Sequence, residues 1–568
     1  MTDLPPDWEG PPTELAVPRS APTQRSGSFL VAAGILLSRL AGLVREVVIA
    51  KYLGVSATAD VFKAAVRIPN LIQNLLGEGV LSASFIPVYS RLLDEDRRKA
   101  NRLAGNVLGL LLAVMAGLVA VGVLLAGPIT RLVTPGFSGE RLELATTLLR
   151  IAFPAIALSV LSAFCTGILN SHRKFFLSYV SPVVWNFGQI AFVIAAGVWG
   201  ATDVGIAEAL AWGVLFGAFA EVLIQVRDVR RLMGPPHLSI STGSPDTRNV
   251  ISRFVPVVVG RGVIQLLSYI ELLLASLLAV GGVSALTYGQ VLYLLPISLF
   301  GMAVAAAELP ELARLGREGR PAIRERLGLG LDRIAFYVAI TVALYIAAGD
   351  VIVGGLLQRD EFSAADTRLV WLVIGAFALG LLGTTRSRLL QNTLYALDRG
   401  KIVARIAVLR VALAAGLGAL FMFPLDRYAV IGADFERSGS FGFGPLPDSL
   451  RLLEDGPPRL GVVGLALGAA VSSWVEYRLL RGALEWRIGR MAGMSLQAKW
   501  CLIAAAAAGI LAAGIRAVSD DVHRLLAVVL VCGPAGLTYL AITTTVGVGE
   551  ASALVGRATS LLRRRASR

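Results

Sequence analysis

Charge, cysteine and histidine are all scarce in this chain. Charged residues make up 16% of its 568 positions, against about 25% in a soluble domain. Hydrophobic residues make up 55% and the mean hydropathy is +0.70. There is too little polar surface to cover a water-exposed globule, so a soluble enzyme is excluded. Disorder is excluded as well, because it needs low hydrophobicity. The three cysteines, Cys165, Cys501 and Cys532, are far apart and odd in number, and they form neither a disulfide framework nor a metal site. His172, His237 and His523 are equally dispersed, so no metal is expected. The sequence has no Walker loop, nucleophile elbow or cluster with metal-ligand spacing. Neither nucleotide hydrolysis nor a bound cofactor is expected.

What the chain does have is apolar length. Segments near 28–52, 58–90, 104–127, 141–169, 178–200, 203–226, 250–280, 283–312, 330–357, 364–396, 402–424, 460–480, 499–517 and 522–547 read as helices, each long enough to cross ~30 Å of hydrocarbon. The expected fold is an all-α polytopic membrane protein with fourteen such helices. Sixty glycines fit close helix packing in lipid. The formal charge is +14; Lys and Arg crowding the cytoplasmic loops of a membrane protein account for it better than nucleic acid does. With the N-terminus inside, about 33 Lys and Arg fall on the cytoplasmic side and about 11 on the other. Both termini are therefore expected in the cytoplasm.

The segments group into units. Residues 1–27 are Pro-rich and polar and read as a disordered cytoplasmic tail without the form of a signal peptide. A first six-helix lobe is expected over 28–226, a cytoplasmic linker over 227–249 and a second lobe over 250–480. An extracytoplasmic insertion, 425–459, interrupts the second lobe; it is rich in Gly, Pro and acids, and it reads as a passive surface loop. Two further helices fill 481–547, and 548–568 is a basic cytoplasmic tail. A faint repeat supports two lobes: Pro87 and Arg91 recur as Pro310 and Arg314, an offset of 223 in both cases. Arg39 and Arg261 lie equally deep in the first and seventh helices. An offset of six helices keeps orientation, so the halves are expected to be parallel repeats.

Charges inside spans carry the functional signal, since each costs about 2.5–3.5 kcal/mol at the bilayer centre. Arg39 and Glu46 lie about 20° apart on one helix face, with Arg45 pointing elsewhere. In the second helix Asp60, Arg67, Asn74 and Glu78 fall within about 40°, a stripe about 27 Å long that suggests a hydrated cleft. Arg261 and Glu271 add charge from the seventh helix. These groups could instead pair internally, as Arg39–Glu46 and Arg67–Glu78. Glu308, Arg386 and Arg388 lie near helix ends, where snorkelling explains them. An arginine-lined cleft suits an anionic ligand, because guanidinium binds phosphate through paired hydrogen bonds.

The stretch Ser38–Leu93, SRLAGLVREVVIAKYLGVSATADVFKAAVRIPNLIQNLLGEGVLSASFIPVYSRLL, resembles the opening of the MurJ/MviN lipid II flippases of the MOP exporter superfamily. Weaker echoes follow in VTPGF (133–137), LLQRDEFSAADT (356–367), LYALDRGK (394–401) and GLALGAAVSSW (464–474). The resemblance implies fourteen helices, two lobes and alternating access of a cationic cavity to a lipid-linked peptidoglycan precursor. It implies a bacterial inner-membrane location and an anionic undecaprenyl pyrophosphate-type substrate, with cell-wall synthesis proteins as possible partners. It also associates the last two helices with a groove for the lipid tail. Arg39 and Arg45 match the family's cavity arginines, and Asp60, Arg67 and Glu78 fall on matching positions; substrate binding is expected of Arg39, Arg45 and Arg67, with Glu46, Asp60 and Glu78 holding those arginines in place or changing partners between states. The chain departs from the family pattern at Gln73, where an arginine is usual, and at Gln290–Val291, where an Asp-Arg pair is usual, and helix 402–424 lacks a carboxylate that some relatives use for sodium. Arg261 is the expected substitute for the missing second-lobe arginine, with Glu271 too far round the helix to cancel it. Rival readings are an exporter of another lipid-linked sugar or small molecule and a membrane scaffold that transports nothing.

The charge asymmetry yields a direct test. Cysteines introduced in 91–102 or 227–249 should react with an impermeant thiol reagent only from the cytoplasm, and cysteines in 425–459 only from outside. Labelling of 425–459 from the cytoplasm would invert the topology.

Overall fold

The computed structural model describes residues 24–566 apart from 235–237, 302–319, 398, 433, 455, 520 and 521. The side chains of Glu78 and Arg261 lie outside the described residues, as do Glu308, Pro310 and Arg314 of the expected repeat and most of the 1–27 tail. The first helix, α1 (Gln24–Leu53), already starts within that tail. After a short turn α2 (Ala57–Leu76) begins at Ser56, whose hydroxyl accepts the Ala59 N–H. The expected 58–90 helix is not continuous. Gly77 leaves the helical region (φ −83°, ψ −147°) and the chain restarts as α3 (Glu78–Ser84) and α4 (Ile86–Glu95). Pro87 sits in the first turn of α4, where a missing N–H costs nothing.

Next come α5 (Arg97–Leu124), α6 (Ala126–Val133), α7 (Gly139–Ala152), α8 (Ala155–Ser171), α9 (Phe175–Val198) and α10 (Asp203–Met233). Asp96 caps α5 by accepting from the Arg98 and Lys99 N–H groups, and those bonds hold its carboxyl below the usual range. The expected 141–169 helix is split at Phe153–Pro154 into α7 and α8.

The second set is α11 (Pro245–Ser276), α12 (Gly282–Pro296) running into a π turn at Ile297–Gly301, α13 (Arg320–Leu357), α14 (Ala364–Ala396) and α15 (Gly400–Asp426). Helix α14 takes the expected limits, fixed at its start by a Ser363–Asp366 capping box. A β-hairpin, β1 (Tyr428–Ile431) with β2 (Asp434–Arg437), and a single turn, α16 (Asp448–Arg451), form the insertion before α17 (Gly461–Ile488). Two more long helices follow, α18 (Leu496–Ala517) and α19 (Arg524–Thr545). The terminal stretch expected simply as a basic tail is helical as α20 (Gly549–Ala566).

Among the described residues eleven helical segments are long and apolar enough to cross a membrane. Three of the fourteen expected spans, α1, α11 and α17, have the length (30, 32 and 28 residues) but are not among the eleven. Each carries charge along its length: Arg39, Arg45 and Glu46 on α1, Glu271 on α11, Glu476 on α17. Those are also helices that bring polar groups to the interior.

Helices up to α10 pack mainly on one another, and so do those from α11 onward. Within the second lobe α15 and α17 approach closely through small residues; a Cβ on Gly464 would sit 2.6 Å from the Met422 nitrogen. Here dispersion between backbones replaces the hydrophobic drive that lipid removes. Helices α18 and α19 dock on α13, where Tyr539 donates to the Phe336 carbonyl at 2.6 Å and Arg516 pairs with Asp350 at 2.7 Å. Their far faces leave Ile510 and Leu537 exposed, as helices facing lipid would.

Candidate functional site

The two lobes meet along α2 of the first and α12 of the second. At one end of this seam Asp60 is fully buried in the first turn of α2. Its carboxylate accepts the Gly281 N–H at 2.8 Å and the Ser284 N–H at 2.7 Å. These are N–H groups at the start of α12, which the helix cannot satisfy itself, and the helix dipole favours a negative charge there. A helix of one lobe is thus capped by a side chain of the other. Arg141, at the start of α7, lies 3.4 Å from the same carboxylate and stacks on Phe137. Gly281 makes the cap possible: its φ is +90°, and a Cβ would sit 2.6 Å from Val55 across the seam. Tyr288 donates to the Gly54 carbonyl at 3.1 Å, and the Glu361 N–H to that of Lys51. The loop ends of both lobes are therefore knitted together at this end, which also carries the insertion.

Deeper along α1 and α2 lies a buried charge cluster. Glu46 accepts from Arg45 at 2.6 Å and from Lys63. The Arg45 guanidinium lies 5.3 Å from the Trp185 ring, and the Lys63 ammonium 4.9 Å from the ring of Tyr288 in the other lobe. Lys63 was not among the residues expected from sequence. It sits three residues from Asp60 on α2, inside a run of buried positions, and an apolar-looking stretch gave no signal for it.

Below the seam opens a cavity of about 610 Å³, walled by α2, α11, α12, α14, α15 and α17. Its charged residues are Arg67, Arg388 and Arg410 against Glu271 and Glu476. The pairing is uneven. Glu476 takes Arg410 at 2.9 Å and the Gln391 amide at 2.9 Å. Glu271 takes the Gln290 amide at 2.7 Å, and Gln290 in turn accepts from Arg67 at 3.1 Å. Arg388 is exposed in the cavity wall and has no described partner. Three cations less two anions leave one positive charge, and it resides on Arg388. Tyr293 closes the wall, donating to Thr384 and stacking on Phe377.

Several expectations change. Of the stripe on the second helix, Arg67 and Asn74 line the cavity. Asp60 instead caps α12, and the break at Gly77 puts Glu78 on a different helix. Glu46 holds Arg45 and Lys63 rather than Arg39. Arg39 is exposed on α1 and has no described partner. The proposal that Arg261 supplies the second lobe's charge falls on a side chain outside the described residues; among those described, Arg388 and Arg410 supply it. Glu271 does reach the cavity, through Gln290. Arg386 and Arg388, expected to snorkel from a helix end, are placed otherwise: Arg386 is buried and Arg388 lines the cavity. Val291 does not line the cavity, whereas Gln290 beside it does. Arg67 and Gln290 are 223 residues apart, the offset read from the repeat.

A family model described as lipid II flippase MurJ matches residues 49–436. A Rhizobium tropici protein described as "probable lipid II flippase MurJ" is 31% identical over 416 residues, 70% of this chain and 75% of that protein. The Burkholderia cenocepacia protein described as lipid II flippase MurJ is 29% identical over 407 residues, 70% and 76% of the two chains. Among solved structures, a lipid II flippase MurJ in an inward closed conformation superposes with a TM-score of 0.70 at 20% identity, over 91% of this chain and 98% of that one. A MATE-family multidrug resistance transporter of the MOP superfamily, inward-facing, gives 0.61 at 14% identity over 81% and 98%.

The cap across the seam can be tested by stability. Asp60→Ala strands two buried N–H groups and Arg141, and removing one partner of a buried ion pair costs about 3–5 kcal/mol. The thermal unfolding midpoint in detergent should fall by several degrees, with Asp60→Asn, which keeps an acceptor but no charge, in between. Three equal midpoints would show that this carboxylate does not tie the lobes.

Proposed function

The chain belongs to the lipid II flippase MurJ family, and on that premise we propose that it moves a lipid-linked peptidoglycan precursor of the lipid II type across the bacterial inner membrane by alternating access. The anionic pyrophosphate occupies the cavity below the seam while the undecaprenyl chain stays in the bilayer. Both termini lie in the cytoplasm and the insertion outside, as the Lys and Arg asymmetry supports. The protein acts as a transporter, with a gradient, the membrane potential or turnover of the product outside supplying direction. Cell-wall synthesis proteins that consume the precursor are its functional partners.

The observation that carries this reading is the uneven pairing in the cavity. An entering pyrophosphate meets Arg388 without breaking any described ion pair. It can then take Arg67 from Gln290, a neutral amide of the other lobe, at the cost of one hydrogen bond, about 0.5–1.5 kcal/mol net and more where a charged group is involved. Guanidinium repays this with paired bonds to phosphate. Glu271 keeps its bond from the Gln290 amide, and the Arg410–Glu476 pair stays intact. Because Arg67 bridges the lobes, its capture by cargo removes an interlobe contact within the cavity. The Asp60 cap, two turns away on the same pair of helices, then remains as the tie at the far end. The family assigns Arg39 and Arg45 to the head group; Arg45 can serve only by exchanging Glu46 for phosphate, and Lys63 stands ready to keep Glu46 paired.

The MOP fold is shared with multidrug transporters, so cargo must be tested directly. In a bacterium depleted of its own flippase, this protein should restore growth. Arg67→Ala and Arg388→Ala should each weaken complementation. A charge-assisted bond of about 1.5–3 kcal/mol corresponds to a ten- to hundredfold loss of affinity, order of magnitude. Lysine at either position should restore only part, since a point charge lacks the planar fork. Full growth with both arginines replaced by alanine would remove the cavity from the mechanism. No growth with the intact, membrane-inserted protein would reject lipid II as cargo.

A further inference from the structure

The insertion between α15 and α17 is tied into the seam. Its stem is fixed to the second lobe. The Val430 N–H donates to the Pro458 carbonyl at 2.8 Å and the Leu460 N–H to that of Tyr428 at 3.0 Å, so the first strand pairs with the segment that leads into α17. Arg459 reaches back to the Asp426 carbonyl, and the Asp426 carboxylate accepts the Ala279 N–H at 3.2 Å. The insertion therefore moves with the second lobe.

Arg451, on its single helical turn, reaches the first lobe. One guanidinium nitrogen donates to the Gly136 carbonyl at 2.9 Å. The other edge of the fork is held by Asp448 through two bonds of 2.8 and 3.2 Å, which fix the side chain in its reach. The backbone carbonyl of Arg451 accepts the Val280 N–H at 3.1 Å. The side chain is only 11% exposed, so it is packed into the joint. Gly136 belongs to the loop that leads into α7 and so to Arg141, the partner of Asp60. The Gly136 N–H donates to Ser276 at 3.3 Å, and a Cβ there would overlap the Ser276 carbonyl. The contacts form a closed circuit: Arg451 to Gly136, along the loop to Arg141, on to Asp60, to Gly281 and Val280, and back to Arg451.

We propose that the insertion is a latch on the outer gate, with Arg451 as a positioning residue that holds the lobes together through Gly136 and must release it each time the cavity opens outward. The inference rests on the alternating-access reading. Its energetic content is modest by design. One charge-assisted bond to a carbonyl, preorganised by Asp448, biases the gate closed without locking it, whereas a buried ion pair across the same joint would cost several times more to part. The latch acts on gate opening and leaves the cavity's affinity for cargo untouched.

The test reads the gate separately from transport. Ala407, in the cavity wall, is replaced by cysteine in a chain whose Cys165, Cys501 and Cys532 are replaced by alanine. Intact cells are then treated with an impermeant maleimide from the insertion's side. Arg451→Ala should raise the labelling rate severalfold, and Arg451→Lys should fall between it and the parent. Asp448→Ala, which loosens the fork without touching either lobe, should raise it by a smaller factor. Deletion of 439–445, the tip beyond the latch, should leave it unchanged. Equal rates for the parent and Arg451→Ala, both verified as folded by detergent melting, overturn the proposal. So does a tip deletion that raises labelling as much as Arg451→Ala does, because the insertion would then act by bulk. If Arg451→Ala misfolds, Arg451→Lys and Asp448→Ala carry the decision. Faster labelling without complementation by the parent would keep the latch and reject the flippase reading.

Discussion

One carboxylate sets the geometry of this molecule. Asp60 belongs to a helix of the first lobe, yet it satisfies the first free N–H groups of a helix in the second. A helix start buried in a membrane protein cannot turn to water for its unpaired donors, so the second lobe's helix needs something from outside its own sequence neighbourhood. Supplying it from the facing lobe makes the joint strong when closed and leaves two buried donors, and the carboxylate that held them, to be rehydrated when open. Rehydration is feasible only near the membrane surface, at the loop ends, where the cap lies. The cavity can therefore run deep below a joint that remains reversible.

The same logic separates fixed charges from exchangeable ones. Arg410–Glu476 is a matched pair, and in the Arg45–Glu46–Lys63 cluster two cations share one carboxylate; removing Glu476 or Glu46 would leave bare charge in a medium that tolerates it poorly. Arg67 is held by an amide and Arg388 by no described group, so these two can change partner cheaply. A carrier needs both classes. The matched ions keep the helices in register, and the weakly held cations make the site selective for anions without binding its own wall more tightly than its cargo.

Most of the architecture was legible because lipid imposes a coarse requirement, apolar length, that composition alone reveals. The limits of α14 were read correctly because its capping box and apolar run are both local. The breaks at Gly77 and at Phe153–Pro154 were not, since a hydropathy window averages over one residue that leaves the helical region, as Gly77 does, and over a proline that interrupts the hydrogen-bond ladder while keeping helical angles, as Pro154 does. The site was half legible. Arg67 was found because arginine inside a span is conspicuous. Arg388 was set aside because sequence gives its distance from the helix end but not that it lines the cavity. Lys63, Gln290 and Arg451 were missed for a shared reason: each acts on a group hundreds of residues away or on another helix, and no local pattern encodes that. The insertion looked passive because its anchoring arginines, Arg451 and Arg459, donate to backbone carbonyls of distant segments, so no complementary side chain marks their partners in the sequence.

The spacing of Arg67 and Gln290 bears on how such a chain arose. The two positions are 223 residues apart, the offset read from the sequence repeat, and their side chains touch. An ancestor with identical halves would have placed the same residue on both sides. Two arginines meeting there would offer only donors, and would repel. A hydrogen bond from Arg67 requires an acceptor opposite it, which Gln290 supplies. In the present chain the contact joins an arginine to an amide, and the asymmetry of the cavity at this point is the difference between those two residues.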